Sequence, residues 1–289
     1  MTAEDIANSA NAVNYPLGGA IENIVVTSIL VFSYLSIIIF FIIIILRLRK
    51  NRFEKQSESI KASLNGLIMS ATFASNQEEL DEVIKQAKPE FLKHIKNSGQ
   101  AQVMIDEILS MLNNLSGQSK GNLSKLFQET CLMKYTLQKL DNKNWHIKAL
   151  GIKHLAQVNA DKHIPSIEKY ATHPIIYLQQ QAQIALVNLK GYDGLGFLWK
   201  LKNALSDWQQ INILDALHEL DKDKAPDFSQ WLGHEEDTIK LFSIRLIHYF
   251  QQSYNNEKVE KFVYSENKKL KNEATATLQK ITHKNIFQL

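Results

Sequence analysis

The sequence predicts an all-α protein in which one transmembrane helix precedes a right-handed α-α superhelical solenoid. Three observations lead there. Only five prolines and eleven glycines interrupt 289 residues, and Leu, Lys, Gln, Ala and Glu recur at helical rather than strand spacing. One stretch, Ile24 to Leu46, carries no charge over 23 residues. From Asn144 onward the chain copies itself with a period near 31.

The apolar run "IVVTSILVFSYLSIIIFFIIIIL" rises about 34 Å as a helix, enough to cross a bilayer core. Thr27, Ser28, Ser33 and Ser36 fit this reading because helical hydroxyls can bond back to the preceding turn. Residues 1–23 hold Glu4, Asp5 and Glu22 and no basic residue. Residues 47–55 hold Arg47, Arg49, Lys50, Arg52 and Lys55. Basic flanks stay cytoplasmic, so residues 1–23 are expected outside as a short extracytoplasmic N-terminus. A cleaved signal peptide would show the opposite order, a basic head before a shorter run. Residues 24–46 are therefore read as the membrane span and 47–55 as a basic juxtamembrane segment.

Residues 56–141 read as helical hairpins, a divergent start of the solenoid. Ile60, Leu64, Leu67 and Ile68 continue an amphipathic helix out of the membrane. "SNQEELDEVIKQAK" offers Ser75 or Asn76 as a cap and acids in its first turn. Pro89 is expected to start the next element. "AQVMIDEILSMLNNL" is a further helix and Ser116 to Asn122 a loop. "LSKLFQETCLMKYTLQKL" is one more helix, with Leu123, Leu126, Phe127, Cys131 and Leu132 along one face.

Residues 142–289 carry the repeat. First helices begin at Trp145, Leu178, Trp208, Ile239 and Leu270, spaced 33, 30, 31 and 31 residues apart. Four places on sits Ala149, Ala182, Asn212, Ser243 or Ala274. A large apolar residue followed one turn later by a small one suits close helix stacking. Second helices are expected at "KHIPSIEKYAT", "GLGFLWKLKNAL", "APDFSQWLG" and "EKVEKFVYSE". Such a unit cannot bury its apolar face alone, so neighbours must stack. The pattern resembles HEAT-like, armadillo-type repeats, over about residues 142–284. That resemblance implies a scaffold or adaptor. With its membrane anchor, the chain also looks like proteins of bacterial envelope systems, including exopolysaccharide synthesis.

Chemistry finds little support in the residues. The net charge of +3 gives no field for nucleic acid, and beyond residue 55 basic and acidic residues nearly cancel. A single cysteine, Cys131, allows no intramolecular disulfide, and no local motif makes it a nucleophile; it reads as a small core residue. The pairs His218–Glu219 and His234–Glu235 invite comparison with the di-iron HEAT hydroxylases, but they do not occupy equivalent repeat positions. "GYDGLGF" lacks the Gly-Lys-Ser/Thr ending of a phosphate loop; Gly191 reads as a helix C-cap, with Gly194 and Gly196 in a short turn. No catalytic residue, metal ligand or cofactor is therefore assigned, and no small-molecule substrate is evident.

Protein binding remains. At 100° per residue, Leu198, Leu201 and Leu205 share a face that Trp199 leaves, and Tyr264 leaves the face of Phe262 and Val263. Trp199 and Tyr264, with Lys200, Lys202 and Lys261, are the candidate contact residues, since exposed aromatics anchor interfaces. Trp145, Trp208 and Trp231 read as core. Tyr34, Ser33 and Ser36 could meet a membrane-embedded partner. The expected protein is a single-pass inner-membrane scaffold, N-terminus out, holding or regulating a membrane-associated protein on the cytoplasmic face. The alternative is a HEAT-like enzyme, or the regulatory subunit of a membrane-associated enzyme.

Overall fold

The computed structural model describes the backbone of residues 16–218 and 220–286, and side chains over 24–218 and 220–280. Among the described residues the secondary structure is helical, α or 3-10, with no strand. The chain divides into two compact units, Met1–Lys61 and Ala62–Leu289.

The first helix, α1 (Pro16–Thr72), has every side chain from Ile24 to Leu46 exposed. Its apolar window has a mean hydropathy of 3.2, and none of that window is buried within the protein. The helix is thus long and apolar enough to cross a membrane. The expected back-bonding is present: Ser28 Oγ donates to the Ile24 carbonyl at 2.7 Å and Ser36 Oγ to that of Phe32 at 2.8 Å. Residues 1–15 lie outside the described residues, and with them most of the acidic flank, Glu4 and Asp5.

In the second unit, Leu64, Ile68 and Ala71 at the end of α1 are buried. Helix α2 (Gln77–His94) is capped by Asn76, whose Oδ1 accepts from the Glu79 N–H at 2.9 Å. Glu79 Oε2 accepts in return from the Ser75 N–H at 2.8 Å, so the first turn and the residue before the cap are tied together. Pro89 does not begin a new element as expected; it lies inside α2. Ala87 and Phe91, on either side of it, are fully buried, and their packing holds the helix past the missing N–H. Helix α3 (Ser98–Leu112) buries Ala101, Met104, Ile105, Ile108 and Leu112. The expected loop at 116–122 is instead the start of α4 (Gly117–Glu129). The expected single helix that follows is broken at Thr130, whose backbone is extended (φ −96°, ψ 175°), and α5 (Cys131–Gln138) starts after it.

The repeat region contains α6 (Trp145–Gln157), α7 (Ile164–Glu168), α8 (Ile176–Lys190), α9 (Asp207–His218), α10 (Asp237–Tyr249), α11 (Asn256–Glu260) and α12 (Lys268–Ile286). The first helices pack on one another: α6 on α8, α8 on α9, α10 on α12. The lead residues Leu178, Ile239 and Leu270 are buried, as are the small residues Ala182, Ser243 and Ala274. Trp145 and Trp208 depart from the expectation, at 40% and 54% exposed. Trp145 stacks its ring on that of the exposed Tyr177, with centroids 5.7 Å apart, so its contact lies at the surface rather than in the core. Trp231 is buried as expected.

The second elements are not the full helices expected. They are short: Asp161–His163 with α7; the 3-10 segment Gly191–Lys200; Lys222–Lys224 and Phe228–Trp231; and Ser253–Asn255, α11 and Lys261–Tyr264. Glycine explains the second of these. Gly191 ends α8 with φ +61°, which a side chain rarely adopts. A Cβ on Gly194 would lie 2.5 Å from the Leu186 carbonyl oxygen, so the segment runs directly against α8.

Four of the five turns entering the first helices share one bond. Two residues before each N-cap, a side-chain acceptor takes the N-cap N–H: Asn142 from Asn144 at 2.9 Å, His173 from Ile175 at 3.1 Å, His234 from Glu236 at 3.0 Å, Ser265 from Asn267 at 3.2 Å. Before α9 the place is held by Ala204, and Ser206 Oγ instead accepts from the Gln209 N–H at 3.2 Å.

Candidate functional site

The site grows from the 3-10 segment Gly191–Lys200. Leu198 and Leu201 are buried, with Leu205 beyond them, and this fixes the roll of the chain. Between the first two, Trp199 is turned outward at 55% exposed. Its ring lies against that of the buried Trp231, at 6.1 Å between centroids. Around Trp199 lies a hollow of about 670 Å³, a volume within the range of ligand and anchor pockets. One wall carries Lys200 and Lys202, and the other is the turn from Gly233 to Glu236.

The two walls are prepared differently. His234 and Glu236 are committed to the local turn: His234 Nδ1 accepts from the Glu236 N–H, and Glu236 Oε1 accepts from Thr238 Oγ1 at 3.0 Å. Lys200, Lys202 and Glu235 are exposed and take no part in the ion pairs among the described residues. A rigid aromatic surface thus sits within a rim bearing free charges of both signs. That arrangement can seat an apolar side chain with polar groups on either side of it, which is how interface anchors work.

Tyr264 is 83% exposed at the end of the last second element, with Phe262 and Val263 half-buried beneath it and Lys261 exposed beside it. The structure leaves it two repeats from Trp199 and outside the hollow. The membrane-flanking residues Arg47, Arg49, Lys50 and Arg52 are all exposed on α1; Lys50 faces Glu54 at 3.7 Å.

Of the residues weighed for chemistry, Cys131 is half-buried, and burial raises its thiol above the usual range, the reverse of activation. His218 pairs with the Tyr249 hydroxyl. Glu219 lies outside the described residues.

A polar cluster that the sequence did not announce joins α5 to α6. Lys139 Nζ donates to Gln102 Oε1 at 2.6 Å and lies 3.1 Å from His154 Nδ1. Burial lowers His154 to about 3, helped by the adjacent positive Lys139 and Lys153, so the ring is neutral and can accept. Burial also lowers Lys139 to about 8. Gly151 permits the approach: a Cβ there would lie 2.9 Å from Lys139 Cβ. A second cluster ties three repeats together, with Arg245 reaching Asp207 at 3.1 Å, Gln210 at 2.7 Å and Glu273 at 3.1 Å. Both clusters tie neighbouring helices together.

No family model matches the chain, and no curated protein sequence matches it. Among solved structures it is similar to a crystal structure of an engineered protein, at 13% identity and a TM-score of 0.36, over 72% of this chain and 98% of that one.

Proposed function

We propose that this protein is a membrane-anchored docking platform. In this reading α1 crosses the inner membrane with its N-terminus outside, and the basic segment from Arg47 to Lys55 marks the cytoplasmic edge. The helices beyond form a HEAT-like right-handed solenoid that holds or regulates a membrane-associated protein, such as a component of an envelope or exopolysaccharide system. The observation that carries the reading is Trp199: an indole more than half exposed, backed by Trp231 and ringed by uncommitted lysines and a glutamate. Burying such a ring at an interface is a large apolar gain, and its two side-chain torsions cost little to fix.

The test is a pull-down of the full chain from membranes in mild detergent. One stoichiometric membrane protein is expected, lost or weakened about tenfold or more on Trp199→Ala and less on Tyr264→Ala. A solenoid lacking residues 1–55 that fully replaces the whole protein in cells would remove the anchoring role. A metal or cofactor retained at stoichiometry through purification would turn the reading toward an enzyme.

A further inference from the structure

A second hollow, sharing no lining residue with the one at Trp199, lies on the first helices. It measures about 420 Å³ and draws on the end of α3, on α4, and on α6, α8 and α9. Its composition differs from every other surface described above. Six amide side chains line it: Asn113, Gln157, Asn159, Gln181, Asn188 and Asn212. Trp208 adds one indole, 54% exposed and without an aromatic neighbour among the described ring contacts. Lys120, Lys153 and Asp215 supply the charge, and none of the three takes part in an ion pair among the described residues.

Several of these groups are held with one function left open. Asn188 Nδ2 donates to the Ile184 carbonyl at 3.1 Å and Asn212 Nδ2 to that of Trp208 at 2.7 Å, so both amides are braced on their own helices with Oδ1 left to accept. Gln181 makes no hydrogen bond among the described residues and keeps donor and acceptor alike.

Each simple ligand leaves part of this set idle. An inorganic anion would use the two lysines and ignore the indole and the amides. A neutral sugar would leave both lysines unpaired. An extended peptide main chain, read by stacked repeats, calls for amides at one register position repeated from helix to helix. Counted from the lead residues Trp145, Leu178 and Trp208, the helix amides fall instead at different places: Gln157 twelve on, Gln181 three and Asn188 ten, Asn212 four. A compact ligand met from several directions suits that scatter better than a chain. One class uses every component. A nucleobase stacks on an indole face, and its edge pairs with Asn or Gln amides. A phosphate takes ammonium groups. A ribose diol donates to a carboxylate.

We propose that this hollow is a nucleotide site that takes one nucleoside monophosphate, its base on Trp208 and the neighbouring amides, its phosphate at Lys120 and Lys153, and its ribose at Asp215. A small-molecule site among the first helices gives the platform a chemical input separate from its docking surface, and it stands whether or not Trp199 binds a partner.

The experiment titrates the full chain in detergent micelles with AMP, GMP and UMP, following tryptophan fluorescence and ligand-observed saturation-transfer NMR. At least one of the three is expected to bind with Kd below about 1 mM, and the matching nucleoside and ribose 5-phosphate each about tenfold or more weaker. Trp208→Ala and the double variant Lys120→Ala/Lys153→Ala should each weaken binding about tenfold or more, and Trp208→Phe should restore most of it. All these side chains except Gln181 and Asn212 are exposed or sit at helix ends, so an unchanged thermal melt separates loss of the site from loss of the fold. Absence of binding by all three nucleotides up to about 5 mM overturns the proposal. Equal binding of ribose 5-phosphate, which would mean a plain anion site, overturns it, as does tighter binding of an acidic peptide or undiminished affinity in both variants.

Discussion

Residues 24–46 of α1 and the helix α8 are both built largely from aliphatic residues, yet the first exposes all of its side chains and the second buries most of its own. The difference lies in how each treats its polar groups. Helix α8 carries three glutamines on buried positions, and two of them bond to other elements: Gln180 Nε2 donates to Ser206 Oγ at 3.4 Å, Gln183 Nε2 donates to the Ala171 carbonyl at 2.8 Å, and Gln209 donates to Gln183 in turn. The membrane-length run of α1 closes the hydroxyls of Ser28 and Ser36 onto its own backbone. That is the economy a helix needs where no water and no second element can supply a partner. Apolar content alone does not distinguish the two; the destination of each polar atom does.

The contrast can be broken in five ways. The largest effect is expected in the core of the second unit, where Phe228 packs on Phe250 with centroids 4.9 Å apart. Phe228→Ala should cost about 3–5 kcal/mol in chemical denaturation of the detergent-solubilised chain, whereas Ile39→Ala should leave that midpoint where it is. Next, Leu35→Arg, near the middle of the apolar run, should reduce membrane insertion by about 3 kcal/mol in a translocation assay; unchanged insertion would mean the run does not sit in lipid. Gln183→Ala strands the Ala171 carbonyl and the Gln209 amide, and about 1–3 kcal/mol should be lost from the same denaturation curve.

The fourth test is acid. His154 is held neutral when folded, at about 3, against 6.5 when free. The unfolded chain therefore binds the extra proton first, and this contribution is full above pH 6.5 and lost as pH falls toward 3. Between pH 6.5 and 4.5 it should amount to about 1–3 kcal/mol. His154→Gln, which keeps an acceptor for Lys139, should flatten that slope. Lys139, at about 8 against 10.5, acts at the other end: its buried charge is relieved as pH rises past 8, so stability should climb through that window. The smallest effect belongs to Tyr264→Ala, within about 0.5 kcal/mol on stability; a larger loss would place that ring in the core rather than on a contact surface.

Much of this architecture could be read from residue spacing. The helical content, the apolar run, the Asn76 cap, the Gly191 end and the outward turn of Trp199 and Tyr264 all rest on local rules of period and backbone conformation. What escaped depends on neighbours. Trp145 and Trp208 occupy the same lead position as Leu178 and Ile239, and only the stacking of adjacent helices decides which of them is covered. The sequence signal of Pro89 is local and marks a boundary, while Ala87 and Phe91 hold the helix through it by packing. The apolar spacing of the second elements is helical, yet Gly194 against the Leu186 carbonyl makes that segment a tighter strap. The amides of the second hollow sit at unrelated register positions, so no repeat alignment would have gathered them.

In four of the five turns before the first helices, asparagine, histidine and serine perform the same act, each offering a lone pair to the same backbone N–H. The requirement is an atom at a place, and three unlike residues meet it. A molecule built on such rules can change its letters freely and keep its grammar. A designer who kept the lone pair and the spacing could exchange the residue at that place and keep the turn.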